Sequence, residues 1–454
     1  MRTDLLRKGV KLMPKLFGTD GVRGVANEDL TPELCLKIGR AAGEYLKSYG
    51  DTVLVGRDTR LSGTMLEAAL SAGLASVGLK VERLGIVTTP AVAFLASRED
   101  VAGGAMISAS HNPVPDNGVK FFDNKGYKLA ESHEEQIENY LEKELSRPTG
   151  TDIGKVLPEN NKLIENYIQE LIDKYPLDLS NYKIVLDCAY GATYQIAPRL
   201  FKKLGAEIIP LHAENRGEKI NVECGSTNPE LTSRTVVEEG ADLGFSFDGD
   251  GDRIIALDEE GNQVNGDKIM AILAKDMKSR GELKNDKLIA TVMSNLGLKL
   301  ALKELGIALE ETKVGDRNVL NRMREQDCVL GGEQSGHIIN LQDNTTGDGV
   351  LTGLKLMKVL IDTGQSLKQL ASIMEELPQL LVNVKVSNKD SAINSQKVQE
   401  EKSKVEKQLG SKGRVLIRPS GTEPVIRVMV EGENRETLHE VANHLTQVIK
   451  KAAE

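Results

Sequence analysis

Short buried-strand patterns alternate with amphipathic-helix patterns over most of this chain. Val53-Leu54-Val55 has the composition of a buried strand, and the segment that follows it places Leu66 and Leu70 on one helical face. A second unit of this kind begins with a strand at Lys183, and a third begins with a helix near Gly266. This alternation predicts mostly parallel sheets covered by helices, in which ligands bind at the carboxyl ends of the strands.

The length of 454 residues also requires more than one hydrophobic core. From Leu380 onward two helices are interspersed with three strands, which is an α+β pattern. Ser132 begins a capping box for the helix that closes the first domain, and the polar run from Arg147 to Asn161 is interpreted as a linker. We therefore predict three α/β domains with mixed sheets and a smaller α+β domain, with bounds at residues 1–160, 161–262, 263–377 and 378–454.

Composition and charge exclude several classes of protein. Hydrophobic residues make up 40% of the chain and charged residues 28%, and the net charge is -9, which disfavours general binding to nucleic acid or to an anionic membrane. No apolar run is long enough to span a bilayer, and no signal peptide is recognised, although residues 1–15 are basic and are assigned no role. The four widely spaced cysteines favour a reduced, cytoplasmic protein without a zinc site.

The stretch Met106 to Phe122 combines several chemically active side chains on one loop between two predicted strands. Ser110 and His111 lie in the turn, and Lys120 lies on the strand that follows. A serine in this position can be a nucleophile or a phosphate carrier if a neighbouring group activates it. Taken alone, the same residues also fit an ordinary polar turn.

A second loop carries three carboxylates at alternate positions directly after a predicted strand. Asp248, Asp250 and Asp252 can converge on one point, and like charges this close require a cation. Ligands that are all oxygen atoms favour Mg²⁺ or another hard ion. An EF-hand is excluded because Arg253 stands where that loop requires glycine.

Two further loops supply polar groups. The loop Gly331 to His337 offers Glu333, Ser335 and an imidazole, a set that can bind sugar hydroxyls. The loop Arg418 to Pro424 and the following Arg427 combine guanidinium groups, hydroxyls and free backbone N–H groups, which suits a phosphate.

These four loops, in this order, resemble the phosphohexomutase superfamily. The resemblance extends from Leu16 to near the end of the chain and includes the motifs FGTDGVRGVAN, ISASHNP, DGDGDR, TKVGDRNV, GGEQSGH and RPSGTEPVIRVM. It implies a mutase with three similar α/β domains and a smaller fourth domain around a central cleft. Gln334 and Asp316 favour the branch that interconverts glucosamine 6-phosphate and glucosamine 1-phosphate through a 1,6-bisphosphate, on the route to UDP-N-acetylglucosamine.

The resemblance also implies roles for individual residues. Ser110 would carry the phosphoryl group, and Asp248, Asp250 and Asp252 would hold one Mg²⁺ together with an oxygen of that phosphate. The residues expected around the transferring group are Arg23, His111, Lys120, Arg253 and His337, with Lys120 as the first choice for general acid and base and His337 as the second. The residues expected to bind substrate are Glu333, Ser335, Arg418, Ser420, Gly421, Thr422 and Arg427.

The expected partners and the competing functions follow from the same resemblance. Glucosamine 1,6-bisphosphate or glucose 1,6-bisphosphate is expected as an activator, a kinase for Ser110 and a homodimer are possible partners, and nucleic acid and membrane are not expected. The alternatives are the same reaction on glucose or mannose phosphates, a metal-dependent sugar phosphatase, and a non-catalytic sugar phosphate sensor.

Overall fold

A computed structural model describes residues 16–18, 20–419 and 425–453 of the chain. Within these residues the chain divides into two compact units. The larger unit comprises the described residues up to Val292 together with Glu310–Ala371, and the smaller comprises Met293–Leu309 and the described residues from Ser372 onward. The four predicted domain bounds stay a prediction.

The first sheet of the larger unit is mixed, as predicted. Its strand order is β1-β5-β4-β2-β3-β6. Strands β4, β2, β3 and β6 run parallel to one another, β5 is antiparallel to β4, and the edge strand β1 is antiparallel to β5. Thr31 caps α1 by accepting a hydrogen bond from the backbone N–H of Leu34, as the Thr31-Pro32 sequence predicts. The elements are β1 Val22–Val25, α1 Pro32–Leu46, β2 Thr52–Arg57, α2 Gly63–Ala75, β3 Lys80–Ile86, α3 Thr89–Arg98, β4 Gly103–Ile107, β5 Asp116–Asp123, α4 Glu131–Leu141 and β6 Val156–Glu159.

Two local predictions in this region are wrong. Residues 147–161 are not simply a linker, because β6 pairs in parallel with β3 and completes the sheet. Helix α4 begins at Glu131, with Ala130 as its N-cap and no side-chain cap, so Ser132 lies inside the helix and does not cap it.

The second sheet has the order β11-β10-β9-β7-β8, with β8, β7 and β9 parallel and β10 and β11 antiparallel. Strands β7 and β9 are almost completely buried, which explains their short apolar sequences. The elements are α5 Asn161–Lys174, β7 Lys183–Asp187, α6 Ala197–Lys203, β8 Glu207–Leu211, α7 Glu230–Glu239, β9 Leu243–Phe247, β10 Ile254–Leu257 and β11 Gln263–Val264.

The third sheet has the order β13-β12-β14-β15, in which β12 and β14 are parallel and β15 is antiparallel to β14. Helix α8 packs against β14 and β10, and α11 packs against α8 and β10. The elements are α8 Gly266–Ser279, β12 Lys287–Thr291, α9 Leu296–Glu304, β13 Ala308–Thr312, α10 Asp316–Glu325, β14 Leu330–Gly332, β15 Ile338–Asn340, α11 Gly349–Thr363 and α12 Leu367–Ala371; of these, α9 belongs to the smaller unit.

The C-terminal sheet lies in the smaller unit and is antiparallel, in the order β16-β18-β17. Its core is formed by Ile426, Val428 and Val430 of β18 with Leu438 and Leu445 of α15. The elements are β16 Gln379–Lys385, α13 Lys389–Asn394, α14 Gln396–Leu409, β17 Arg414–Pro419, β18 Val425–Glu431 and α15 Arg435–Ala453. The predicted fold class, α/β with mixed sheets and a smaller C-terminal part, is thus confirmed. None of the described helices is both long and apolar enough to cross a membrane.

Candidate active site

Ser110 lies in the loop that leaves the carboxyl end of β4. The residue is 2% exposed, and its backbone has a φ of 52°, a left-handed conformation that is uncommon outside glycine. Its Oγ donates a hydrogen bond to Asp248 Oδ2 at 2.6 Å and lies 3.4 Å from His111 Nδ1. The hydroxyl therefore points toward the carboxylate loop, 138 residues further along the chain.

The carboxylate loop connects β9 to β10 and brings Asp248, Asp250 and Asp252 together. One oxygen from each lies within 4.8 Å of the others, and all three residues are buried. Oδ1 of Asp250 and Oδ1 of Asp252 are buried without a hydrogen-bond partner among the described residues. Buried carboxylate oxygens that lack a donor are costly unless a cation binds them, so this set of oxygen atoms fits a hard divalent cation.

The electrostatics of the three carboxylates differ. Burial, together with the negative charges of Asp252 and Asp250, holds the pKa of Asp248 well above its usual range. Burial also opposes ionisation of Asp252, but His337 and Lys120 outweigh it and hold the pKa of that carboxyl below its usual range. Negative charges that raise a neighbour's pKa are stabilised by an added cation, which again fits a metal site.

Lys120, on β5, reaches into the same loop. Its Nζ is 3.0 Å from Asp250 Oδ2, 3.3 Å from Asp20 Oδ2 and 3.8 Å from Asp252 Oδ2, and the residue is 1% exposed. Burial alone would lower the pKa of Lys120, but the three carboxylates raise it above its usual value. Lys120 is therefore a charged ammonium group at neutral pH.

Two histidines flank this cluster in different ways. Burial, followed by the charge of Arg253, lowers the pKa of His111 to about 4, so its imidazole is neutral at pH 7. The Gly347 N–H donates to His337 Nε2 at 3.2 Å, which places the ring proton on Nδ1, 3.6 Å from Asp252 Oδ2. Both ring nitrogens of His337 thus face protein groups.

Two arginines have unsatisfied N–H groups next to these carboxylates. Arg23 donates from Nη1 to Asn112 Oδ1 at 3.2 Å and pairs with Asp20, while Arg253 lies beside Asp252. Nε of Arg23 and Nε of Arg253 are buried and have no hydrogen-bond partner within residues 16–18, 20–419 and 425–453. Buried guanidinium donors of this kind are suited to an anion such as a phosphoryl group.

The third loop lies between β14 and β15. Glu333 Oε1 accepts a hydrogen bond from the Gly315 N–H at 2.9 Å, and Ser335 is exposed. The Gln334 carbonyl accepts a bond from the Gly266 N–H at 3.0 Å, which fixes the loop against the start of α8. The Glu333 side chain and the backbone of this loop are thus held by the segments that begin α10 and α8.

In the smaller unit, Arg418 of β17 and Arg427 of β18 are cross-strand neighbours. Burial, followed by the charge of Arg427, lowers the pKa of Arg418, and Nε of Arg418 is buried without a hydrogen-bond partner in the described part of the chain. Two adjacent guanidinium groups repel each other unless an anion lies between them. The predicted contacts from Ser420, Gly421 and Thr422 lie outside the described residues.

Sequence reasoning missed two charged residues that complete this arrangement. Asp20 contacts Arg23, Lys120 and Lys128, and Lys128 also contacts Asp316 at the start of α10. These cations outweigh the burial of Asp20 and hold the pKa of its carboxyl well below the usual range. The available signal for Asp20 is its position three residues before Arg23 in the motif FGTDGVRGVAN.

A second cluster of possible metal ligands, Asp187, His212 and Cys224, lies at the carboxyl end of β7. Asp187 Oδ1 is 3.0 Å from His212 Nδ1 and accepts from the Ala189 N–H, and its Oδ2 accepts from the Gly225 N–H at 2.9 Å. Both carboxylate oxygens are therefore already engaged, and this cluster connects loops rather than offering open ligand positions.

Comparison with known proteins places this geometry in a family. Models of the phosphoglucomutase/phosphomannomutase family match the chain at α/β/α domain I (residues 14–148), α/β/α domain II (165–261), α/β/α domain III (265–377) and the C-terminal domain (381–448). The chain belongs to the phosphoglucomutase/phosphomannomutase family, and it is an isomerase of the mutase type. The resemblance recognised in its motifs is confirmed.

Individual relatives narrow the comparison. The phosphoglucosamine mutase of Thermoanaerobacter sp. (strain X514) is 52% identical over 97% of this chain and 99% of its own length. The phosphoglucosamine mutase of Caldanaerobacter subterraneus subsp. tengcongensis is 53% identical with the same coverage.

Solved structures agree with the fold. A phosphoglucomutase/phosphomannomutase family protein from Burkholderia thailandensis is 25% identical, with a TM-score of 0.81 over 96% of this chain and 97% of its own. The N-acetylphosphoglucosamine mutase of Aspergillus fumigatus, solved with GlcNAc-6P and magnesium, is 18% identical, with a TM-score of 0.70 over 97% of this chain and 96% of its own.

Proposed function

We propose that this mutase interconverts glucosamine 6-phosphate and glucosamine 1-phosphate, in the cytoplasm, on the route to UDP-N-acetylglucosamine. The observation that carries the proposal is the 52% and 53% identity, over almost the whole chain, to relatives named phosphoglucosamine mutase. Four buried cysteines that form no disulfide agree with a reducing compartment.

Ser110 is the proposed phosphoryl carrier. Its support is the buried hydroxyl 2.6 Å from Asp248, at the carboxyl end of a parallel strand where ligands of α/β folds bind. In the forward direction the sugar hydroxyl attacks the phosphorus of phospho-Ser110, the bond from Oγ to phosphorus breaks, and the 1,6-bisphosphate forms. The bisphosphate then reorients, its other phosphoryl group returns to Oγ, and glucosamine 1-phosphate remains.

The proposed metal ligands are Asp248, Asp250 and Asp252, with a phosphate oxygen on Ser110, and the proposed ion is one Mg²⁺. Two donor-free buried oxygens and the mutual repulsion of the three carboxylates support this set. When bound, the cation would neutralise negative charge on the phosphoryl group as it transfers.

The remaining side chains hold the phosphoryl group and handle the proton. Arg23 and Arg253 supply guanidinium N–H groups to its oxygens. Lys120, an ammonium group, is the proposed donor of a proton to Ser110 Oγ as the bond from Oγ to phosphorus breaks. The neutral amine that results then accepts the proton of the attacking sugar hydroxyl, which restores the ammonium group. His111, neutral and 3.4 Å from Oγ, is a supporting contact, and His337 orients Asp252 because both of its nitrogens face protein groups.

Substrate binding is assigned to two loops. Glu333 and Ser335 are proposed to bind sugar hydroxyls. The phosphate that does not react is proposed to bind Arg418 and Arg427, whose mutual repulsion an anion would relieve, with Ser420, Gly421 and Thr422 as further contacts.

Activation and assembly complete the proposal. Either glucosamine 1,6-bisphosphate or glucose 1,6-bisphosphate can load Ser110 by the reverse of the transfer step, and a kinase is the alternative source of the phosphate. We also propose a homodimer.

Sugar preference is tested by measuring kcat/KM for glucosamine, glucose and mannose 6-phosphates under identical metal concentrations. The amino sugar should be preferred by at least about tenfold, as expected when one polar contact is matched only by the right substrate. A preference for either neutral sugar would contradict the proposed substrate.

The role of Ser110 is tested with Ser110→Ala. Mutase activity should fall to background while glucosamine 6-phosphate still binds, because only the phosphoryl carrier is lost. Release of inorganic phosphate faster than isomer formation by the unaltered enzyme would instead indicate a phosphatase.

A further inference from the structure

The backbone of Ser110 is held in a conformation that a residue with a side chain rarely adopts. Its φ of 52° places it in the left-handed region, although its side chain carries the hydroxyl that contacts Asp248. Such a conformation persists only when surrounding contacts fix it. The contacts that do so identify further residues that matter for the reaction.

The carbonyl oxygen of Ser110 accepts two hydrogen bonds from side chains distant in sequence. Arg60 donates from Nη2 at 2.9 Å, and Asn221 donates from Nδ2 at 2.9 Å. The same two side chains also contact the carbonyl oxygen of Asn112, at 2.8 Å from Arg60 and 3.4 Å from Asn221. The loop is thus held from two directions.

The backbone N–H of Ser110 is also linked to Arg60, through Ser108 and Asp58. It donates to Ser108 Oγ at 2.8 Å, and the Ser108 hydroxyl in turn donates to Asp58 Oδ2 at 2.6 Å. Asp58 Oδ2 also accepts from Arg60 Nε at 3.0 Å. Both backbone polar groups of Ser110 therefore lead, directly or through one hydroxyl, to the Asp58–Arg60 pair.

Arg60 has no capacity to spare for another partner. Its side chain is 0% exposed, and its guanidinium group is engaged on every nitrogen. The acceptors are Asp58 Oδ2 and the carbonyl oxygens of Ser110, Asn112, Pro113 and Asp116. Four backbone carbonyl oxygens and one carboxylate oxygen thus use all five N–H donors of Arg60, which indicates a group that organises backbone and does not meet substrate.

We propose that the buried Asp58–Arg60 pair, together with Ser108 and Asn221, is the positioning device that holds Ser110 in its left-handed conformation and directs its Oγ toward Asp248. This inference rests on the proposed role of Ser110 as phosphoryl carrier. These residues are positioning residues, because none of them donates to or accepts from the Ser110 hydroxyl itself. Without them the loop relaxes, and the phosphoryl group moves away from the metal ligands and the attacking hydroxyl.

The first test uses Ser108→Ala, which removes only the hydroxyl oxygen that joins the Ser110 N–H to Asp58. Because a displacement of about 1 Å can cost about a hundredfold in rate, kcat should fall between about tenfold and a hundredfold while KM for glucosamine 6-phosphate stays within about threefold. The matched control is Ser71→Ala, which removes an equally buried hydroxyl on α2, remote from the loop, and should leave kcat unchanged.

The second test uses Arg60→Lys and Asn221→Asp, with Arg83→Lys as the control for a backbone-binding arginine elsewhere. A lysine keeps the charge of Arg60 but cannot make its planar set of bonds. In the phosphorylated enzyme, the ³¹P resonance of phospho-Ser110 should shift in both loop variants and in Ser108→Ala, and stay in place in Arg83→Lys.

The outcomes separate this inference from the function on which it rests. Unchanged kcat and an unchanged ³¹P resonance in folded Ser108→Ala and Asn221→Asp would overturn the positioning role, even if Arg60→Lys failed to fold. Full activity in Ser110→Ala, measured in parallel, would overturn the proposed carrier instead.

Discussion

Positive and negative charges at the active site are paired between individual side chains. Asp20 is surrounded by Arg23, Lys120 and Lys128, and Lys120 is shared with Asp250. Every cation here has a carboxylate partner, but the carboxylate loop still has two oxygens without a donor among the described residues. The two oxygens without a donor, on Asp250 and Asp252, can therefore accept one added cation.

The first prediction concerns that cation. Asp250→Asn should raise the metal concentration needed for half-maximal activity by at least about tenfold and lower kcat, because an amide oxygen is a weaker ligand than a carboxylate. A metal titration of activity measures both effects.

The control for this substitution is Asp258→Asn. Asp258 is also buried, but its oxygens accept from the backbone and side chain of Asn262 in a turn. Its metal titration should match that of the unaltered enzyme. An identical titration for Asp250→Asn would count against the metal loop.

At the residue scale, the sequence motifs predicted the residues that react or bind metal, but not the residues that hold the Ser110 backbone in place. Ser110 and Asp248 were found because their loops have uncommon compositions. Arg60 and Asn221 were missed because each lies in a loop of ordinary composition, and only the fold brings them to the Ser110 carbonyl. Asp58-Thr59-Arg60 does follow directly after β2, and a polar run at the carboxyl end of a parallel strand was the available signal.

At the scale of elements, β4 and β9 end in the two loops that meet at Ser110 and Asp248. Most elements were predictable because their apolar pattern is strong, as in β2, where Val53 to Val55 are buried, and in α2, where Leu66 and Leu70 lie on the buried face. Strand β6 was missed because it is a four-residue, largely exposed edge strand, which leaves too little apolar pattern to recognise.

The second prediction concerns Gly249→Ala, at the point where the carboxylate loop lies close to the Ser110 loop. A Cβ at this position would lie 2.7 Å from the Ser110 carbonyl oxygen and 2.9 Å from Asn221 Nδ2. We expect the free energy of unfolding to fall by about 1–3 kcal/mol and kcat to fall with it, because the Ser110 backbone must move. Thermal unfolding and steady-state kinetics measure the two effects.

Gly63→Ala is the control, since a Cβ there meets nothing closer than 3.4 Å. It should change neither quantity appreciably. Normal kinetics in Gly249→Ala would show that the two loops tolerate separation.

The cross-strand pair Arg418 and Arg427 gives the third prediction. Arg418→Met should raise KM for glucosamine 6-phosphate by at least about tenfold, the loss expected for one hydrogen bond to a charged group, with a smaller change in kcat. Stability should not fall, because the substitution removes repulsion between neighbouring guanidinium groups.

Lys412→Met, which removes an exposed cation from the same unit, serves as the control and should leave KM unchanged. A normal KM in Arg418→Met would remove this arginine from the proposed phosphate site.

At the scale of the whole molecule, polar contacts join distant segments of the larger unit. Arg317 of α10 binds Glu134 of α4 through two parallel bonds of 2.9 and 2.6 Å, and Tyr167 of α5 donates to Asp348 at 2.7 Å. The sequence could not predict these contacts, because they join residues 183 and 181 positions apart. They join α10 to α4 and α5 to the start of α11 within the larger unit.

The fourth prediction tests one such contact. Arg317→Met should lower the free energy of unfolding by about 2 kcal/mol, because it removes two charge-assisted bonds and leaves the buried Glu134 carboxylate without this partner. Thermal melting compares it with Arg322→Met, which removes solvent-screened ion pairs of an exposed arginine on the same helix with Glu310 and Glu325 and should change little. Equal melting temperatures for the two variants would contradict a stabilising role for the Arg317–Glu134 contact.

The central claim is that Ser110 passes a phosphoryl group to and from a glucosamine phosphate. It is tested most directly by loading Ser110 with ³²P-phosphate, mixing the purified enzyme with unlabelled glucosamine 6-phosphate, and following the label in a single turnover. The account predicts that the label leaves the Ser110 peptide and appears in glucosamine 1,6-bisphosphate and the monophosphates. Label that stays on the protein while isomer forms, or that appears chiefly as inorganic phosphate, would contradict it.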